Sequence, residues 1–268
     1  MLKKIVLLSV MAVMAFASSA FAEKKELVNG IDANYPPFAY IEKNDQATGF
    51  DIDAMNWIAD KMGFKVVHKP MDWDGIVPSL MAKKIDMVAS GMSITDERKE
   101  KVNFSNPYYT IKKYFVVKNN SKLTPDDIRS GKKKLGVQAG TNEAKWLEEN
   151  AKANNWNYEL RLYSSPGLAI EDVVNGRIDA AAIDSPPAED AIKRTKKPIK
   201  IIGEFTNSDQ FGVAVRKEDK ELLETINKGY ELLMEDPYWV TLHKKYFNAE
   251  PSVVTPVSDN KASGKKAN

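Results

Sequence analysis

The sequence predicts an α/β fold of two lobes, each a mostly parallel sheet flanked by helices. Short apolar runs alternate with amphipathic segments in the order strand, helix, strand, helix, strand over residues 27–89, and a second set of the same kind runs over 124–183. A matched pair of segments, 79–89 and 172–182, supports the division: each is a helix end, a basic residue, Ile-Asp, then a small apolar strand. The length of 268 residues, 43% apolar and without cysteine, suits one large or two moderate domains that rely on cores rather than disulfides.

Residues 27–31 are a strand that ends in Asp32-Ala33-Asn34-Tyr35-Pro36-Pro37, a turn or loop by composition. Phe50, Ile52, Met55, Ile58, Ala59 and Met62 follow a 3.6 period, and Gly63 is placed to end that helix. Residues 64–67 are a strand with His68 at its end, Ile76, Val77, Leu80 and Met81 form a helix face, and 85–89 is a buried strand. In the second set, Thr124-Pro125-Asp126-Asp127 starts a helix with cap, proline and acidic first turn. Strands at 135–138, 158–162 and 178–183 alternate with helices at 141–151 and from Ser165-Pro166 to Gly176. Beyond them, 211–215 reads as a strand, 218–234 as a helix and 237–246 as a shorter helix, with His243 on a Lys-rich, solvent-facing stretch.

The ends differ from the body. Lys3 and Lys4 precede an apolar run over 5–16, and Ala20-Phe21-Ala22 supplies a small-x-small cleavage site, which predicts a secretory signal peptide over 1–22. Its apolar core is short for a membrane span, and no later run approaches the ~20 residues that a span requires, which excludes membrane insertion. Removing that segment takes Lys3 and Lys4 from 39 basic residues and leaves 37 basic against 37 acidic side chains, so nothing supports nucleic-acid binding. Without a cysteine to acylate, the exported chain is expected to diffuse freely in a periplasm. Residues 250–268, rich in Ser, Lys, Asn and Pro, read as a disordered tail.

Signatures of catalysis are scarce: there is no phosphate-binding loop, no nucleophile elbow and no zinc spacing, and His68 and His243 lack neighbouring ligands, so neither a metal nor a cofactor is expected. Ligands of open α/β sheets gather at the carboxyl ends of strands. Here those ends carry Ser90-Gly91-Met92-Ser93 in the first set and Asp184-Ser185 in the second, and the matched pair points to a shared cleft.

Six motifs in order then resemble a known series: Gly30-Ile31-Asp32-Ala33-Asn34-Tyr35-Pro36-Pro37-Phe38, Gly49-Phe50-Asp51-Ile52-Asp53, Trp73-Asp74-Gly75-Ile76-Val77-Pro78-Ser79-Leu80, Ser90-Gly91-Met92-Ser93-Ile94-Thr95-Asp96-Glu97-Arg98, Phe104-Ser105-Asn106-Pro107-Tyr108-Tyr109 and Gly136-Val137-Gln138-Ala139-Gly140-Thr141. The series is similar to that of solute-binding protein family 3, the periplasmic polar amino-acid receptors of ABC importers, over about 26–248. The resemblance implies the type II periplasmic-binding-protein fold, with two hinge crossings near 109–113 and 206–210. Lobe 1 would be 23–110 plus 208–249 and lobe 2 would be 111–207. It also implies an ABC permease as partner and a monomeric receptor.

In such a receptor a zwitterion taken out of water needs both charges met. Arg98 would hold the α-carboxylate with a bidentate fork, aided by Ser93 and by Thr141 at a helix start. Asp184 from the other lobe would accept from the α-ammonium, with Ser90 and the Gly91 carbonyl. Asp32, Tyr35 and Trp73 would select the ligand side chain, an aspartate at the Asp32 position facing side chains that carry donors, which favours a polar or basic amino acid. Read on their own, the same residues leave other roles open: Arg98 paired with Asp96, Thr141 as a helix cap, Asp184 capping the helix after Pro186, Asp32 bonded to its own turn, Tyr35 and Trp73 in the core. Gly91 and Gly140 stand where some relatives carry serine, which implies a slightly roomier pocket. Two other classes are weighed. A dehydratase-like enzyme on the same fold would need a cleft acid, for which Glu143 and Glu189 are candidates although both read as solvated helix positions. A partner of a membrane sensor kinase would use the same pocket.

Overall fold

The computed structural model describes residues 24–252 and 254; the expected signal peptide at 1–22 and most of the expected tail lie outside the described residues. In the first lobe, β1 (Glu26–Ile31) pairs in parallel with β5 (Lys65–Pro70) on one side and meets β6 (Met87–Val88) on the other. Helix α1 (Phe50–Met62) precedes β5, and α2 (Ile76–Met81), entered through a 3₁₀ turn at Trp73–Gly75, precedes β6. A late strand, β13 (Ala214–Arg216), is inserted antiparallel between β6 and β7 (Val102–Phe104), giving the order β5-β1-β6-β13-β7.

Periodicity explains α1. Phe50, Ile52, Ala54, Met55, Ile58 and Ala59 are all buried, and Gly63 at φ 80 turns the chain out of the helix. Against this face pack α8 (Lys220–Glu235) and α9 (Pro237–Phe247). Gly229 of α8 is where the two helices approach: a Cβ there would lie 2.3 Å from Ile58 Cγ2. Gly→Ala in a helix ordinarily stabilises by about 1 kcal/mol. Here overpacking, which costs about 1–3 kcal/mol, reverses the sign. Gly229→Ala is therefore expected to lower the denaturant midpoint at unchanged slope, and a raised midpoint would contradict this packing.

The second lobe has the order β10-β9-β11-β8-β12. Strands β9 (Lys134–Gln138), β10 (Glu159–Tyr163) and β11 (Ala180–Asp184) are parallel, and β8 (Tyr109–Lys118) and β12 (Ile199–Phe211) close the sheet antiparallel. One face buries Phe115, Val117, Leu135, Val137 and Leu147; the other buries Val116, Ile170, Val173, Ala181 and Ile183. The helices behind these cores are α5 (Asn142–Asn154), α6 (Pro166–Asn175) and α7 (Ser185–Lys193). β8 and β12 continue beyond this sheet as a paired ribbon through Ile111–Asp209 to Tyr109–Phe211, with register breaks between Glu204 and Thr206 and between Thr206 and Asp209.

Several local expectations are corrected. The polar stretch over 203–210, which includes the expected crossing near 206–210, belongs to β12; Phe205 still reaches the second lobe's core against Phe115, and only 206–210, half-buried or exposed where the strand passes between the lobes, lack an apolar alternation. The strand expected at 211–215 is split: Phe211 ends β12 and β13 starts at Ala214. Within the expected loop, Asn34–Tyr35 is the first strand of a small meander completed by Ala39–Ile41 and Ala47–Thr48, each too short to show a period. His68 lies inside β5, between Asn29 and Asn56. His243 is buried rather than exposed: its ring lies 4.6 Å from that of Trp239 and 5.1 Å from that of Phe50, while the neighbouring Lys244 and Lys245 are exposed. Burial in this aromatic cluster holds its pKa down to about 4.

Candidate functional site

Four strands deliver polar residues from their carboxyl ends to one place between the lobes: β1 leads to Asp32, β6 to Ser90 and Gly91, β9 to Gln138 and Thr141, and β11 to Asp184. Tyr35, Trp73, Ser90, Gly91, Ser93, Arg98, Thr141 and Asp184 line one cavity, and Asp32 lies behind it, its backbone N–H donating to the Ser90 hydroxyl at 2.9 Å. All nine residues singled out in the sequence are thus brought together.

Arg98 sits on α3 (Asp96–Lys101), whose cap is Thr95. Its guanidinium turns back into the cleft, donating to the Ser93 carbonyl at 3.0 Å and lying over the Trp73 ring at 5.5 Å. It does not pair with Asp96, which is taken by Lys99. Thr141 caps α5 by accepting from the Ala144 N–H at 3.2 Å and donates to the Gln138 carbonyl at 2.7 Å, so the cap and the cavity wall are the same residue. Asp184 stands at the start of α7 without capping it; Tyr35 donates to its Oδ2 at 2.6 Å, and Oδ1 is buried with no hydrogen-bond partner. Burial, with Glu143 nearby, holds the Asp184 carboxyl well above the usual carboxylate range. Burial also raises Asp32, against the bonds it accepts from Gln138 at 2.6 Å and from the Asn34 N–H at 3.0 Å. Tyr35 and Trp73 are buried, as core residues are, and also form the cavity wall.

The lobes stand closed. Tyr35–Asp184 and Gln138–Asp32 bridge them, Lys145 pairs with Glu97 at 2.5 Å, and Gly140 packs on Asp74. The cavity left is ≈ 20 Å³, about the space of a water and far below the ~300 Å³ and upward of small-molecule pockets. A larger guest enters only when the lobes part. The two glycines do not make the pocket roomier. At Gly91, φ is +63 and a Cβ would lie 2.6 Å from Tyr35 Cε1; at Gly140, φ is +71 and a Cβ would lie 2.7 Å from Asp74 Cα. Each glycine admits a neighbour instead of leaving a space.

Other residues join the site: Gln138 and Asn142, which the sequence did not single out, and Glu143, weighed there only as an enzyme's acid. Gln138 bridges to Asp32, and Asn142 and Glu143 line the cavity. Glu143 is not solvated, as its helix position suggested; it is 5% exposed and pairs at 2.9 Å with Lys113, itself buried and paired with Asp209 at 2.5 Å. Glu189 is half-buried and pairs with Lys193. Behind Gly91 lies Asp51, fully buried, accepting from the Gly91 N–H at 2.6 Å and the Tyr108 hydroxyl at 2.8 Å. The first residues of α1 offered a signal here, because an aspartate between Phe50 and Ile52 breaks the apolar face.

Burial lifts the Asp51 carboxyl to about 7. A folded pKa above the unfolded value gives stability that is fully present below about 4 and is lost as pH rises through about 7. Asp51→Asn removes the titration at constant shape. Its stability relative to the parent is expected to improve by about 2–4 kcal/mol between pH 4 and 8. Urea melts at each pH check this, and a pH-independent gap would show that Asp51 is not buried as an acid.

Comparison with known proteins gives a consistent picture. Residues 27–249 match the family model of bacterial extracellular solute-binding proteins, family 3. The chain is 33% identical over 253 residues to the L-cystine-binding protein TcyJ of Escherichia coli K12, covering 92% of this chain and 93% of that one. It is 33% identical over 254 residues to an L-arginine-binding protein of Pseudomonas aeruginosa, covering 92% and 97%. Among solved structures, an ABC uptake transporter substrate-binding protein from Streptococcus pneumoniae with bound histidine superposes with a TM-score of 0.81 at 30% identity, covering 85% of this chain and 95% of that one. No helix among the described residues is long and apolar enough to cross a membrane.

Proposed function

Because this chain belongs to family 3 of the bacterial extracellular solute-binding proteins, we propose that it is an amino-acid receptor of an ABC importer that encloses a polar or basic amino acid between its lobes. The observation that carries this reading is the pairing within one buried cavity of a guanidinium, Arg98, with a carboxylate, Asp184, that keeps an oxygen without a partner. A zwitterion supplies the complement to both. Arg98, Ser93 and Thr141 take the carboxylate; Asp184, Ser90 and the Gly91 carbonyl take the ammonium; Asp32, Tyr35 and Trp73 select the side chain. The relatives' names, cystine, arginine and histidine, all belong to amino acids whose side chains carry polar groups.

Lobe 1 is then 23–110 with 208–249 and lobe 2 is 111–207, with 1–22 a cleaved signal peptide that delivers a monomer to the periplasm. Binding without chemistry is the reading for the site's acids as well: Glu143, the acid an enzyme would need free, is held by Lys113. The direct test is to denature the purified protein, identify the released ligand by mass spectrometry, and titrate the stripped protein with that ligand. Recovery of a compound without an α-amino group, or turnover of prephenate or arogenate, overturns the reading.

Asp32→Asn addresses selection. A hydrogen bond to a charged group contributes about 1.5–3 kcal/mol. The substitution should therefore weaken arginine by about ten- to a hundredfold while changing its uncharged isostere citrulline much less. Equal losses for the two, measured by calorimetry, would remove Asp32 from side-chain recognition.

A further inference from the structure

Lys113 and Glu143, both buried, and Asp209 and Asn142, both half-buried, form a cluster that the zwitterion-binding roles leave unused. Lys113 lies on β8 and is 3% exposed; its Nζ pairs with Glu143 at 2.9 Å and with Asp209 at 2.5 Å, and Asn142 donates to the same Asp209 oxygen at 2.6 Å. The placement is distinctive. Lys113 and Asp209 belong to the two strands by which the chain passes between the lobes, while Asn142 and Glu143 are the first two residues of α5 and line the cavity. Asp209 also adjoins a register break, where β12 loses its regular ladder against β8 between Thr206 and Asp209. A ribbon whose backbone pairing is interrupted is held there by side chains instead.

We propose that Lys113 and Asp209 form a latch across the interlobe ribbon, and that Glu143 and Asn142 tie this latch to the helix start that meets the ligand, so that the cluster favours the closed arrangement of the lobes. Asp209 and Lys113 are positioning residues: they act through α5 and the ribbon. The charges explain why the latch is strong yet separable. Two carboxylates share the Lys113 ammonium, and Arg98 is the other cation facing them across the cavity, so Glu143, Asp209 and Asp184, whose strand β11 places it directly opposite Lys113, set three carboxyl groups against two cations. An ammonium arriving at Asp184 relieves that excess, which links occupancy of the cleft to the latch.

The proposal rests on the amino-acid-receptor reading for its ligand arm only. The chain has no cysteine, so spin labels placed at Lys43→Cys and Leu168→Cys, on opposite walls of the groove between the lobes, report opening directly. The variant is Asp209→Asn, which keeps an acceptor for Lys113 and Asn142 and removes the charge. Without ligand, the distance distribution of the labelled variant is expected to shift toward longer separations than the parent. Titrated with L-arginine, L-histidine and L-cystine, it should bind whichever the parent binds about tenfold more weakly, with the order of preference unchanged. Glu143→Gln should move both readings in the same direction. Parent-like distances and affinities in both variants, or a lowered melting temperature with parent-like distances and affinities, overturn the latch. Failure of the parent to bind any amino acid overturns the receptor reading, while the ligand-free distances still decide the latch.

Discussion

Arg98→Ala is expected to weaken every amino acid the protein binds by about two to four orders of magnitude, the equivalent of about 3–5 kcal/mol for a buried charge that loses its partner. On the proposed binding mode, in which the guanidinium takes the part that all α-amino acids share, the effect should not depend on the ligand's side chain. Arg98→Lys separates charge from shape: an ammonium restores the charge without the planar fork and without the flat guanidinium that lies over the Trp73 ring. Recovery of a small part of the loss is expected. Calorimetry on the folded variants decides the matter, and an Arg98→Ala protein that binds within threefold of the parent would put Arg98 outside the binding machinery.

Asp184→Ala should cost α-amino acids a comparable amount while largely sparing an analogue whose α-ammonium is replaced by hydrogen. Two features set the size. Asp184 Oδ1 has no protein partner to fall back on, and Oδ2 is tied to Tyr35 from the other lobe. Removing the carboxyl removes the interlobe bond to Tyr35 together with the proposed contact to the α-ammonium, so the closed state should also be less populated without ligand. A variant that weakens the des-amino analogue as much as the amino acid would locate the effect in closure alone.

The parts of this molecule that were legible in the sequence share one property: their signal is local. The face of α1 follows from the spacing of Phe50, Ile52, Met55 and Ile58, and the cap of α5 follows from Thr141. Asp184 and Ser90 were found because they follow small apolar strands at matched positions. What escaped depends on pairings far apart in the chain. Glu143 looks solvated until Lys113 and Asp209 are folded onto it, and His243 looks exposed until Phe50 and Trp239 surround it. Gly91 and Gly140 were read as missing hydroxyls, but their meaning lies in their positive φ and in the approach of Tyr35 and Asp74. No periodicity encodes such contacts, because each partner satisfies the local rules for a different environment.

The insertion of β13 between β6 and β7 also constrains the order in which the chain is made and assembled. The sheet of the second lobe draws on residues 109–211, a continuous stretch that needs nothing synthesised later. The first lobe's sheet lacks an interior strand until residues 214–216 appear, and until then β6 and β7 present facing edges with open backbone groups. The half of the molecule made first is thus the half completed last. A stop between residues 211 and 214 would leave every strand of the second lobe's sheet in the chain and would take an interior strand from the amino-terminal lobe. In any chain delivered amino-terminus first, the sheet of the leading half cannot close until the trailing strand has followed, a dependence set by strand order.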